Sequence, residues 1–170
     1  MPFEIVVMEK LYRSVLEIET PNGNREVRLG GKIDRVDRKQ GLTRVIDYKT
    51  GQSNRKFETL DSLFDTNDAK RNKHAFQALL YAFLLEDNEH FNDIQPGLYV
   101  IRELKENYQP QLSSLETFED KLAMFNVASK SFRFELKNLL AEIFDPGVMF
   151  LQTEITDRCK YCEFKEICQR

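Results

Sequence analysis

Asp34, Asp47 and Lys49 have the residue types and spacing that phosphoryl chemistry uses. Asp47 and Lys49 close a run of strand formers, Thr43 to Tyr48, that ends in Asp-Tyr-Lys-Thr-Gly. Successive side chains of a strand point to opposite faces, so Val45, Asp47 and Lys49 share one face and Ile46, Tyr48 and Thr50 the other. Two residues of strand rise at about 3.3 Å each set the carboxylate and the ammonium roughly 6.6 Å apart, with room for a metal-bound water between them. Asp34, from the preceding run Lys32 to Val36, brings a second carboxylate to the same place. Two hard oxygen ligands with open positions suit Mg2+ or Mn2+. A lone Asp-x-Lys is most often a pair of surface charges on a hairpin. Here the order is more constrained: Gly-Lys-Ile-Asp, a polar turn over Asp37 to Leu42, then the apolar run into Asp-Tyr-Lys.

The elements around this hairpin decide whether those groups can meet. Alternation predicts two strands, Phe3 to Glu9 and Tyr12 to Glu19, a turn at Pro21-Asn22-Gly23-Asn24, and a strand over Val27 to Val36, so that the chain opens as an antiparallel meander. Glu9 ends the first of these and, as a lone glutamate at a strand end, reads as a solvated charge. Gln52 to Asn72 reads as a loop whose Arg55, Lys56, Lys70 and Arg71, with Lys73 just beyond, would meet a phosphate backbone or simply be solvated. A dense apolar helix is expected from about Asp68 to Glu86. Within it Gln77 and Tyr81 lie four apart and stack on one face, while His74 reads best as a partly exposed helix histidine. The run Gly97 to Ile101 predicts a strand parallel to the Asp-x-Lys strand, reached through the helix by a crossover. Glu103 to Gln111 is an irregular excursion. A long helix is expected from Ser113 to Phe144, with Ser113 and Glu116 as a capping box and apolar residues from Leu115, Phe118 and Leu122 to Ile143 at steps of three and four; Asp145-Pro146-Gly147 ends it. The resulting fold class is α/β of the mixed kind, a central sheet with helices packed against it.

Bulk composition narrows the function classes. At 170 residues, with 41% hydrophobic and 31% charged, the chain has the size and make-up of one domain with a real core. There is no apolar run approaching the ~18 residues of a membrane span and no signal-like amino terminus, so the expectation is a cytoplasmic protein with no membrane partner. The net charge of −3 gives no overall pull toward nucleic acid, so any DNA contact must be local.

All three cysteines fall near the carboxy terminus, Cys159, Cys162 and Cys168, in a tail over residues 153–170. In a cytoplasmic protein clustered thiolates suit zinc or an iron-sulfur cluster rather than a disulfide. Three free thiols are the other reading.

The blocks G-K-I-D-R-V-D, V-I-D-Y-K-T-G and Gln77-Ala-Leu-Leu-Tyr81 together resemble the RecB-like branch of the PD-(D/E)xK nuclease superfamily. The resemblance covers about Glu9 to Cys168. It implies a restriction-endonuclease-like fold and Mg2+- or Mn2+-dependent hydrolysis of DNA, with Asp34, Asp47 and the Tyr48 backbone carbonyl as metal ligands. Lys49 would support the attacking water, Gln77 and Tyr81 the site, and Glu9 stands where the resemblance implies an acidic residue near it. The tail resembles that of AddB-type nucleases, where three such cysteines join a distant fourth around a [4Fe-4S] cluster. That fourth cysteine and the family's upstream histidine are absent here, so the expectation is a carboxy-terminal piece of a longer protein whose partners are DNA and a helicase domain or subunit. The setting implied is an exonuclease of double-strand-break repair and recombination. The alternatives are a CRISPR-adaptation nuclease and a non-catalytic DNA-binding or scaffold module that keeps the fold.

Overall fold

A computed structural model describes all residues except 1, 90, 92 and 115–124. Its spine is a four-stranded sheet in the order β1-β2-β3-β5: β1 (Glu4–Thr20), β2 (Gly23–Lys39), β3 (Leu42–Lys49) and β5 (Ile94–Val100). The first three strands run antiparallel as a meander, and β5 lies parallel to β3. The β3–β5 crossover passes through a two-residue strand β4 (Lys56–Phe57) and helix α1 (Lys73–Glu89). Beyond β5, β6 (Ser113–Ser114) pairs with β4, and helix α2 (Phe125–Ile143) closes the core. The mixed α/β sheet with helices against it is the expected fold.

Three boundaries differ from the expected ones, each for a physical reason. The two amino-terminal strands are one 17-residue strand; the apparent break is Glu9, whose φ of 52° puts an irregularity inside a strand that continues to pair with β2. The polar turn of the central hairpin is shorter than Asp37 to Leu42, because Lys39 pairs with Leu42 and only Gln40 and Gly41 turn, at φ 53° and 83°. Two central residues with positive φ are what a tight hairpin matching strand twist requires. Ser113 is part of β6 rather than a helix cap, and Ser114 Oγ donates to the Glu58 carbonyl at 2.6 Å. Glu116, Leu115, Phe118 and Leu122 lie outside the described residues.

Helix α1 starts later than Asp68 because Asn72 caps it. The Asn72 Oδ1 accepts from the Ala75 N–H at 3.0 Å, satisfying a free donor of the first turn. Its Nδ2 donates to the Asn54 and Lys56 carbonyls at 2.6 and 3.1 Å, tying the helix start to β4. Asn72→Ala is therefore expected to cost about 1 kcal/mol, at the centre of the range for a lost cap. Asn72→Asp, which keeps the acceptor and loses the two donors, should recover part of that in thermal melts.

Apolar residues of α1 pack under the sheet: Ala75, Ala78, Leu79, Ala82, Phe83, Leu84 and Leu85 are all buried, against Ile33, Val36, Val45, Leu98 and Val100. Helix α2 joins through Phe132, fully buried, whose ring lies 5.5 Å from Phe64, 5.8 Å from Phe76 and 5.9 Å from Phe125. Such aromatic packing adds to the area each ring buries. It fixes α1 against the sheet at the depth where Gln77 and Tyr81 meet the end of β3. Among the described residues no helix is long and apolar enough to cross a membrane.

Candidate active site

The site is built where the β2–β3 ladder opens. Pairing runs from Lys39↔Leu42 to Arg35↔Ile46 and stops there, one step before Asp34 would stand across from Asp47. Instead of a backbone carbonyl, the Asp34 carboxylate accepts the Tyr48 backbone N–H at 2.9 Å. A side-chain acceptor thus replaces a ladder bond, and the strand end is satisfied while its side chains are free to gather.

Lys49 is the centre of that gathering. Its Nζ lies 2.7 Å from Asp47 Oδ2, an ion pair by distance though off the line of a hydrogen bond, and donates to Gln77 Oε1 at 2.8 Å. Gln77 Nε2 in turn donates to the Tyr81 hydroxyl at 2.8 Å. The structure therefore brings Asp47, Lys49, Gln77 and Tyr81 into one chain of polar contacts running from strand to helix. The i, i+4 spacing put Gln77 and Tyr81 on one face of α1, and that face is the one turned to Lys49. Asp34 stands beside this chain, close enough for its charge to act on Asp47.

Electrostatics differ between the groups. Burial pushes the Asp47 carboxyl above the usual carboxylate range; Lys49 pulls it down, and the charge of Asp34 adds to the rise. His74 is pushed down by burial first, then by the Lys49 and Lys73 ammoniums. It is the partly exposed helix histidine expected, with Nδ1 2.8 Å from Ser53 Oγ, and it lies close enough to Lys49 for that charge to act on it. Glu9 is exposed and ion-paired to Lys32.

A raised carboxyl pKa has a consequence for stability. The folded state holds the Asp47 proton more tightly than the unfolded chain, so the favourable contribution is complete below the unfolded value of about 3.9 and is lost as pH rises through the raised folded value. Above that point the ionised, buried carboxylate is a burden. Asp47→Asn is thus expected to melt at or above the wild-type temperature at pH 7.5, with the difference shrinking at pH 4. A lower melting temperature at pH 7.5 would show that the Lys49 pair outweighs the burial.

Two residues that position the site gave weaker signals in the sequence. A Cβ on Gly31 would lie 2.6 Å from Tyr81 Cε1 and 3.3 Å from Leu84 Cδ1, so the missing side chain lets the Tyr81 ring reach the sheet. A glycine inside a strand pattern signals such a close approach. Ser53, the partner of His74, carried no signal in the loop that holds it.

The expected cofactors are corrected by these contacts. Among the described residues no group of three or more His, Cys, Asp or Glu is disposed to hold a metal ion. At the strand end the carboxylates are two, Asp34 engaged by the Tyr48 N–H and Asp47 by Lys49, and the residues present do not complete the Mg2+ or Mn2+ site that Asp34, Asp47 and the Tyr48 carbonyl were expected to make. Cys159, Cys162 and Cys168 form no disulfide and do not gather into a cluster site; a [4Fe-4S] cluster fully held by protein takes four ligands. The tail instead leans on the body through Arg158, which donates to the Asp68 carbonyl at 2.8 Å, and on itself through Gln152 Nε2 and the Cys168 carbonyl at 3.2 Å.

Compared with known families, the chain matches the family model of the PD-(D/E)XK nuclease superfamily over residues 2–169. None of the curated proteins compared matches it.

Proposed function

Because the chain belongs to the PD-(D/E)XK nuclease superfamily, we propose that it hydrolyses DNA phosphodiester bonds at the β3 end, with Asp34, Asp47 and Lys49 as the reacting set. The observation that carries this reading is Lys49: its ammonium is fixed between Asp47 at 2.7 Å and Gln77 at 2.8 Å where the ladder opens. A preorganised cation of this kind stabilises negative charge developing on phosphoryl oxygens in the transition state. Asp47, whose carboxyl burial holds above the usual carboxylate range, is a better proton acceptor for an attacking water than an ordinary aspartate. Gln77 and Tyr81 act through Lys49, holding its head group in one place. An approaching backbone needs local cations beside the two carboxylates, and the loop and helix start before Gln77 offer Lys56, Lys70, Arg71 and Lys73.

The motif order favours the RecB-like branch, and with it a setting beside a helicase domain or subunit in double-strand-break repair. The test is cleavage of end-labelled linear duplex, linear single strands and closed circles, with and without added divalent cation. The wild-type chain is expected to degrade linear DNA, and Asp47→Asn, folded by its thermal melt, to lose the activity. Equal DNA binding by both with cleavage by neither would favour the non-catalytic module instead.

A further inference from the structure

The face of the sheet turned away from α1 carries an aromatic and cationic array that the hydrolytic reading does not use. Tyr48 alternates with Asp47 and Lys49, so its ring points to the side opposite Gln77. Its ring centroid lies 5.8 Å from that of Tyr99 on β5, and Tyr99 lies 5.5 Å from Tyr108. Both outer rings are anchored. The Tyr48 hydroxyl accepts from Arg35 Nη1 at 2.6 Å; the Tyr108 hydroxyl donates to the Leu98 carbonyl at 2.9 Å and accepts the Val100 N–H at 3.0 Å. Guanidiniums flank the row: Arg35 lies 5.3 Å from the Tyr48 centroid and 4.8 Å from that of Tyr99, and Arg55 lies 4.5 Å from that of Tyr108.

Packing alone leaves two features of this array unexplained. Tyr48 remains 38% exposed, so the part of the ring that Arg35 does not cover faces solvent. Arg35 is only 7% exposed, yet its Nη2 has no hydrogen-bond partner. Beneath the rings Asp37 is the shared carboxylate for two guanidiniums, Arg44 at 2.6 Å and Arg35 at 2.9 Å, so the cluster holds more positive than negative charge. An unpartnered buried donor, surplus positive charge and fixed, accessible rings are together complementary to an unpaired base with its phosphate. Duplex DNA, whose base faces are already stacked, offers this surface only its backbone.

We infer that Tyr48, Tyr99 and Tyr108, backed by Arg35 and Arg55, form a base-stacking platform for single-stranded DNA on the sheet face opposite the hydrolytic site. The inference rests on the nucleic-acid reading above. The platform meets that site at the end of β3, where Tyr48 stands between Asp47 and Lys49, so a strand stacked here is led over the sheet end toward Lys49.

The chain contains no tryptophan, so Tyr48→Trp introduces a single reporter at the platform. Oligo(dT) of fifteen nucleotides is expected to quench its emission, and a blunt duplex is not. By fluorescence anisotropy, Tyr48→Leu should weaken oligo(dT) binding about tenfold or more, the scale of one lost base–aromatic stack. Tyr48→Phe, which loses the hydrogen bond from Arg35 and keeps the ring, should bind like the wild type; thermal melts of all three identify any variant that fails to fold. Binding of oligo(dT) with unchanged emission from Tyr48→Trp, or equal affinity in a folded Tyr48→Leu, overturns the platform. Both readouts need no hydrolysis, so quenching without cleavage sustains the platform while the hydrolytic reading fails. Cleavage of duplex without quenching does the reverse.

Discussion

Lys49→Ala is expected to lower the rate of DNA cleavage by about 10²- to 10³-fold, the cost of removing one preorganised group that meets developing charge, with DNA affinity nearly unchanged. The reason lies in the contacts of the ammonium. It is held by Asp47 and Gln77 rather than by the basic loop before α1, so its loss should remove transition-state stabilisation and little ground-state attraction. Lys49→Arg should not rescue, because a planar, forked guanidinium does not replace a compact ammonium seated between a carboxylate and an amide oxygen. Two titrations report on the same change without any turnover. Lys49 lowers both Asp47 and His74, so in Lys49→Ala the two groups should titrate at higher pH than in the wild type. Upward movement of the His74 ring signals by NMR would establish the proximity. An unmoved His74 together with full cleavage would remove Lys49 from the site.

The hairpin that carries the site was legible because two independent patterns agreed. Alternation over Thr43 to Lys49 gives β3 and its faces, and the polar stretch Asp37 to Leu42 with Gly41 near its end gives the turn. The turn is narrower than the polar stretch because Asp37 and Arg38, which look like loop residues, pair with Arg44 and Thr43. Asp37 is in fact fully buried, held by Arg44 and Arg35, and a buried ion pair is invisible to a reading in which charge means solvent. The same blindness hid the Arg35 cluster, which supplies the platform proposed above. The i, i+4 pair in α1 was visible, but the sequence could not say which way its face would turn, since α1 is apolar around most of its circumference. That direction is set by long-range packing of Phe132 against Phe64, Phe76 and Phe125.

The metal expectations failed for a different reason. Residue types and order constrain which atoms could ligate, whereas a site also needs those atoms brought together with their lone pairs open. Asp34 spends its carboxylate on the Tyr48 N–H because the ladder ends there, and Asp47 faces an ammonium from its own strand. In the tail the short sequence separation of the cysteines suggested a cluster, but the segment lacks a core to hold them in one geometry: Phe150, Tyr161, Phe164 and Ile167 are 88%, 96%, 63% and 81% exposed. Spacing along a chain fixes proximity only where the backbone between the residues is a regular element.

Gly31 links fold to chemistry. With a Cβ at 2.6 Å from Tyr81 Cε1 and 3.1 Å from Cδ1, Gly31→Ala must push the ring or the whole of α1 outward. Overpacking of this kind costs about 1–3 kcal/mol. The displaced ring also carries the hydroxyl bonded to Gln77, whose other end holds Lys49, so activity should fall more than stability predicts. Tyr81→Ala removes the obstacle as well as the hydroxyl. If the ring contact is the cause, the double variant Gly31→Ala/Tyr81→Ala should be more stable than the sum of the two single losses allows. A coupling of about 1 kcal/mol or more is expected for groups in contact. Cleavage should show the opposite pattern, with the double variant no better than Tyr81→Ala alone, since without the hydroxyl Gln77 is unsupported whether or not the space is restored. Strict additivity in the melts would place the Gly31 constraint in the β2 backbone rather than in the ring above it.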